Sequence, residues 1–131
     1  MPGPYVYGKV DDLEDTAKVG SHQCVALVQH YAGAPVTSLW REGAHVRGQI
    51  ALARGTAIAT FVGGRYLSHA HGNHAAFYMG QDATGIIVMD QWTSNKTKPK
   101  VSSRHIPFLG KTKDGSYVRP SDNADAFSVI N

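Results

Sequence analysis

Apolar positions recur with a helical period only near the N-terminus; beyond residue 35 they alternate or run together as strands do. In residues 22–32, Cys24, Leu27, Val28 and Tyr31 stand at i, i+3, i+4 and i+7, which puts them on one face of a helix. Ser21 is placed to cap its start, and Gly33 and Pro35 to end it. A shorter helix is expected over residues 11–18, where acidic residues come early and Lys18 late, the order the helix dipole favours. After Pro35, stretches at 44–47, 56–62, 74–79, 86–92, 103–108 and 126–130 read as strands. Residues 80–85, Gly-Gln-Asp-Ala-Thr-Gly, read as the hairpin loop between the third and fourth. Helices first and strands after predict an α+β fold, with N-terminal helices packed on an antiparallel sheet or half-barrel.

A length of 131 residues suits a single domain, 1–131, with room for a real core. The chain is 42% hydrophobic and 18% charged, too apolar for disorder. No apolar run approaches the ~20 residues of a membrane helix, so membrane insertion is not expected. Met1-Pro2-Gly3-Pro4-Tyr5 carries no basic segment before an apolar stretch, so no secretory leader is expected either. Any work outside the cytosol then needs a route other than general export. The net charge of +3 is a mild bias toward anionic partners. Basic residues cluster only at 96–100 and 111–113, which read as solvated turns. The aromatics are not interleaved with a basic stripe, so nucleic acid is not an expected partner.

The single cysteine excludes an internal disulfide. Cys24 falls in the first turn of its helix, where unpaired backbone N–H groups stabilise a thiolate and can receive an oxyanion. The alternative is a small buried hydrophobe on the core face, the usual fate of a free cysteine. The most polar stretch of the β half is His69-Ala70-His71-Gly72-Asn73-His74. His74 opens a strand, where an imidazole meets a helix tip and serves as base for a thiol. His69, His71 and His74 together also have the character of a metal site, while His22, His30, His45 and His105 read as surface residues.

A cysteine–histidine pair is normally completed by a polar group that fixes the imidazole tautomer. Two candidates adjoin in the strand 86–92. A symmetric hairpin pairs Met79 with Ile86 and puts Gln91 opposite His74, with Asp90 on the other face. One bulge would reverse this and bring Asp90 to His74, and a carboxylate is the better partner for an imidazolium. Trp92 reads as a packed aromatic.

Ser21-His22-Gln23-Cys24-Val25-Ala26-Leu27-Val28 resembles the helix-start cysteine motif of the papain-like NlpC/CHAP amidases. Asn73-His74-Ala75-Ala76-Phe77-Tyr78 resembles their histidine strand, and Val88-Met89-Asp90-Gln91-Trp92 their polar-aromatic strand. Small size, no signal peptide and no wall-binding repeat make the chain look most like the type VI secretion amidase effectors (Tae), with the Tae3-like branch as the expected one. The resemblance covers residues 21–92; the tail beyond Thr93 matches no motif.

What the resemblance implies is a papain-like NlpC/CHAP architecture and a Cys–His amidase or peptidase without cofactor or metal. Its substrate would be the amide bonds of peptidoglycan stem peptides or cross-links. The effector would be made in the bacterial cytoplasm, delivered to the periplasm of a target cell, and neutralised by a cognate immunity protein. The implied catalytic residues are Cys24 and His74, with Gln91 or Asp90 as orienting group. Two rival functions are a metal-dependent hydrolase built on His69, His71 and His74, and a non-catalytic binding module.

Overall fold

A computed structural model describes residues 3–131, so the first two residues of the opening segment, from which the lack of a leader was read, lie outside it. Among the described residues, one α-helix and six strands are joined by loops and short 3-10 turns: α1 (Cys24–Ala32), β1 (Glu42–His45), β2 (Ala57–Thr60), β3 (Ala75–Gln81), β4 (Gly85–Asp90), β5 (Ser102–Pro107) and β6 (Phe127–Ile130). The strands form one antiparallel sheet in the order β1-β6-β2-β3-β4-β5. All six expected strands are present, with ends shifted by up to two residues. No helix among the described residues is long and apolar enough to cross a membrane.

Both faces of the sheet are covered, which explains why β3 reads as an unbroken apolar run: Ala75 to Met79 are all buried. On one face, Leu27 and Val28 of α1 pack with Phe77, Met89, Trp40 and Val101. On the other, Ile58, Val88, Ile106 and Phe127 form a second apolar layer. Tyr31 and Cys24 sit half-buried at the margin of the first.

The N-terminal helices are shorter than expected. Residues 11–18 hold only a 3-10 turn, Val10–Leu13. Asp15 then takes a left-handed conformation (φ 64°) and its N–H pairs with Val101 O, so the chain leaves the helix for a tertiary contact. Lys18 is not a helix-end charge. Its buried ammonium donates to Trp92 O (2.9 Å), Thr93 O (3.3 Å) and Asn95 Oδ1 (2.9 Å). Ser21 does not cap α1 either, because His22 is left-handed (φ 68°) and the helix starts at Cys24 after Gln23. The other end is as expected: Gly33 is left-handed (φ 72°), and its N–H and that of Ala34 close onto Gln29 O and Val28 O.

Strands β3 and β4 carry a bulge. Next to the hairpin loop, Gln81 pairs with Ile86 and Gly80 with Ile87, but further along Tyr78 pairs with Val88 and Phe77 with Met89. Met79 is the extra residue. Without it the hairpin's own register would keep Gln91 on the face of His74; with it, Asp90 takes that face and Gln91 turns to α1.

Candidate active site

Starting α1 at Cys24 makes the nucleophile candidate the first helical residue. By the geometry of a helix start, its N–H and that of Val25 have no intrahelical acceptor. The thiol and the His74 imidazole lie against each other, and each changes the other's acidity. Both line a cleft of about 350 Å³ walled by Gln23, Tyr66, Asn73 and Trp92. Cys24 is only half-buried, so the fully buried hydrophobe considered above is not what is found.

His74 is held from behind. Its N–H bonds Thr60 Oγ1 (3.0 Å), which fixes the backbone just before β3. Its Nε2 lies 2.8 Å from Asp90 Oδ2, leaving Nδ1 as the ring nitrogen for the thiol. Asp90 itself is fully buried. Arg104 Nε shares Oδ2 at 2.8 Å, and Lys98 Nζ stands 2.7 Å from Oδ1. Lys98 is therefore buried (4% exposed), against the solvated turn expected for 96–100: a carboxylate without solvent needs cations within reach.

Gln91 is the one site residue that does not reach the position expected of it. It makes no contact with His74. Fully buried on the α1 side, its Oε1 accepts from Val19 N (3.0 Å), and its Nε2 donates to Val19 O (3.1 Å) and Gln23 O (2.8 Å). It thus braces the segment that delivers Cys24. Replacing Gln91 by Leu breaks three buried hydrogen bonds and should cost about 3 kcal/mol, read by urea unfolding. The His74 titration midpoint, followed by NMR, should stay where it is; a shift would return Gln91 to the imidazole.

Two residues of the site carry no sequence signal that singles them out. Tyr66 OH lies 3.6 Å from Cys24 Sγ and accepts from Asn73 Nδ2 at 3.2 Å, so its own proton is free to point at sulfur. Arg104 comes from β5, which reads only as a short strand. Trp92 lines the cleft as well as packing: its ring meets His74 edge-on with centroids 6.2 Å apart, and Nε1 donates to Thr97 Oγ1 at 2.7 Å.

The electrostatics follow from these contacts. Burial alone would push the His74 imidazolium down, but the Asp90 hydrogen bond and the neighbouring sulfur override it and lift the imidazole to about 9. Burial raises the Cys24 thiol, yet contact with His74 and Tyr66 brings it below its ordinary value. Asp90 is buried, which favours the neutral acid, but His74, Arg104 and Lys98 hold it ionised well below the usual carboxylate range. Burial and the adjacent sulfur raise Tyr66, which remains a donor. The two shifts run in opposite directions, each member of the pair favouring the charged form of the other.

The three histidines of the 69–74 stretch are not gathered. His69 and His71 are exposed while His74 is buried on Asp90, and the described residues contain no group of three His, Cys, Asp or Glu side chains placed to hold a metal ion.

A model of the family described as "Dae2: Domesticated amidase effector 2" matches residues 9–130. A curated "Type VI secretion amidase effector 2 protein" of Salmonella typhi is 51% identical over 131 residues, covering 97% of this chain and 98% of its own. A solved structure of "Type 6 secretion amidase effector 2 (Tae2)" superposes with a TM-score of 0.92 at 49% identity, covering 98% of this chain and 95% of that one. These matches run through the tail beyond Thr93, where motifs are silent. They also correct the branch: it is effector 2, not the Tae3-like one, because short motifs around 21–92 do not separate the branches.

Proposed function

From its membership of the domesticated amidase effector 2 family, we propose that this chain is a type VI secretion effector that hydrolyses peptidoglycan amide bonds with Cys24 as nucleophile. The observation that carries the mechanism is the chain of contacts Cys24–His74–Asp90, open to a cleft at the sulfur and closed at the carboxylate. The helix-tip cysteine facing a strand-end histidine across a sheet also supports a papain-like architecture related to NlpC and CHAP enzymes.

In this reading His74 takes the thiol proton and the sulfur attacks the carbonyl carbon of the scissile amide. The oxygen gathers negative charge, met by the N–H groups at the start of α1 and the Tyr66 hydroxyl. The C–N bond breaks as His74 passes its proton to the leaving amine. Water then loses a proton to His74 and attacks the thioester, releasing a carboxylate and restoring the thiol. Asp90 keeps the ring in the tautomer and orientation that both steps use. Peptidoglycan is the substrate, reached by delivery into a target cell, and a cognate immunity protein protects the producer by covering the cleft.

Mass spectrometry of purified sacculi tests this. The chain should release fragments that differ from undigested material by one water per amide cut. Treating it first with iodoacetamide at pH 7 should stop the release, with Cys24 alkylated faster than a free thiol. Cleavage of glycan bonds, or activity that survives complete alkylation, would overturn the proposal.

A further inference from the structure

The carboxylate behind His74 is not that of a simple aspartate–histidine pair. Each of its oxygens meets a cation: Oδ2 is shared between His74 Nε2 and Arg104 Nε, and Oδ1 faces Lys98 Nζ. Both cations are fixed by further bonds. Lys98 donates to Ser102 O (3.0 Å), and Arg104 Nη1 donates to Asp122 Oδ1 (3.0 Å). Both also lie over Trp92, 4.8 and 5.1 Å from its ring centroid, on the aromatic that meets His74 edge-on.

An unshared buried aspartate would stabilise the imidazolium strongly, and a histidine that holds its proton too tightly is a poor acid for a leaving group. We propose that Lys98 and Arg104 are positioning residues of the reaction: by dividing the Asp90 carboxylate with His74, they keep the imidazolium able to surrender its proton to the departing amine. This rests on the assignment of Cys24 and His74 made above. The charged and titratable groups involved are Cys24 on α1, Asp90 on β4, Lys98 after it, Arg104 on β5 and Asp122 beyond. Tyr66 faces the sulfur, His69 stands at the mouth of the cleft, and Lys18 holds the Trp92 carbonyl. Lys18 is spent on the Trp92 and Thr93 carbonyls and the Asn95 amide, so the two cations paired with Asp90 and Asp122 balance those two carboxylates, and removing one of them makes the surroundings of His74 more negative.

A negative surrounding raises both the imidazole and the thiol, so both limbs of the pH–rate profile should move to higher pH. NMR titration of His74 in the full-length protein, with histidine ring labels, reads the first effect directly. Lys98→Met should raise the midpoint by about one unit, while Lys98→Arg, which keeps the charge, should stay near wild type. In kcat/KM against pH, wild type should lose activity near pH 9. Lys98→Met should be slower at pH 6, by about tenfold, and should overtake wild type above pH 9.

Should Lys98→Met fail to fold, Arg104→Gln at the more exposed end of the pair should move the same two readouts in the same direction. Lower activity with an unmoved midpoint and unmoved limbs would reduce both residues to structural counter-ions and overturn the proposal. A Cys24→Ala variant that kept its activity would sink the nucleophile assignment instead, and would leave the His74 shift measurable.

Discussion

Cys24→Ala should lose peptidoglycan hydrolysis by at least about four orders of magnitude in kcat/KM, and Cys24→Ser nearly as much. The serine keeps the geometry but not the acidity: its hydroxyl does not ionise beside a histidine at neutral pH as a thiol does. Neither change should unfold the chain. Cys24 is half-buried at the margin of the helix-side core, and trimming it to Ala should cost about 1 kcal/mol, read by thermal melting. The same variants report on the imidazole. Without the sulfur, His74 loses one of the contacts that lift it, so its midpoint should fall below about 9 while Asp90 keeps it above an ordinary histidine. Residual activity above a tenth of wild type, measured by muropeptide release, would remove Cys24 from the mechanism.

Asp90→Asn should be costly on two counts. It leaves Lys98 and Arg104 facing a neutral amide in a place with no solvent, and breaking a buried ion pair from one side costs about 3–5 kcal/mol. Urea unfolding should resolve a loss of that size. Activity should fall by about 10³- to 10⁴-fold in the fraction that remains folded, since an amide can leave the ring in the wrong tautomer. The sign of the titration is opposite to that for Lys98→Met: His74 loses its carboxylate but keeps two cations nearby, so its midpoint should drop below 6.5 and the alkaline limb should move down with it. A stable, active Asp90→Asn with an unchanged pH profile would show that the carboxylate is a bystander.

How far the site could be read from sequence depended on the range of the interaction behind each residue. Cys24 and His74 announced themselves locally, through a helical face that opens on a cysteine and a histidine that opens an apolar strand. The succession of strands along the chain was legible for the same reason, since turns and β-branched runs are local signals; their order within the sheet was not. The choice between Asp90 and Gln91 was not, because it turns on the single extra residue Met79, and pleat parity changes with one insertion. Lys98 was hidden in a lysine-rich segment that looks solvated, and only the buried carboxylate eight residues earlier draws it inside. Tyr66 carries no local mark at all; its place beside the sulfur is a property of the assembled cleft. The early helix stops short because Asp15 turns left-handed to pair with Val101, and Lys18 is committed to the Trp92 carbonyl just past β4, 74 residues away in sequence.

Asp90, the last residue of β4, and Gln91, the next along the chain, act in opposite directions. Asp90 reaches one side of the sheet to hold the base, while Gln91 reaches the other to hold the segment before the nucleophile. One stretch of backbone therefore works as a calliper whose two jaws set both halves of the dyad. Sliding it by a single residue would misplace both at once, whereas the three residues at the hairpin's tip, 82–84, lie outside both jaws.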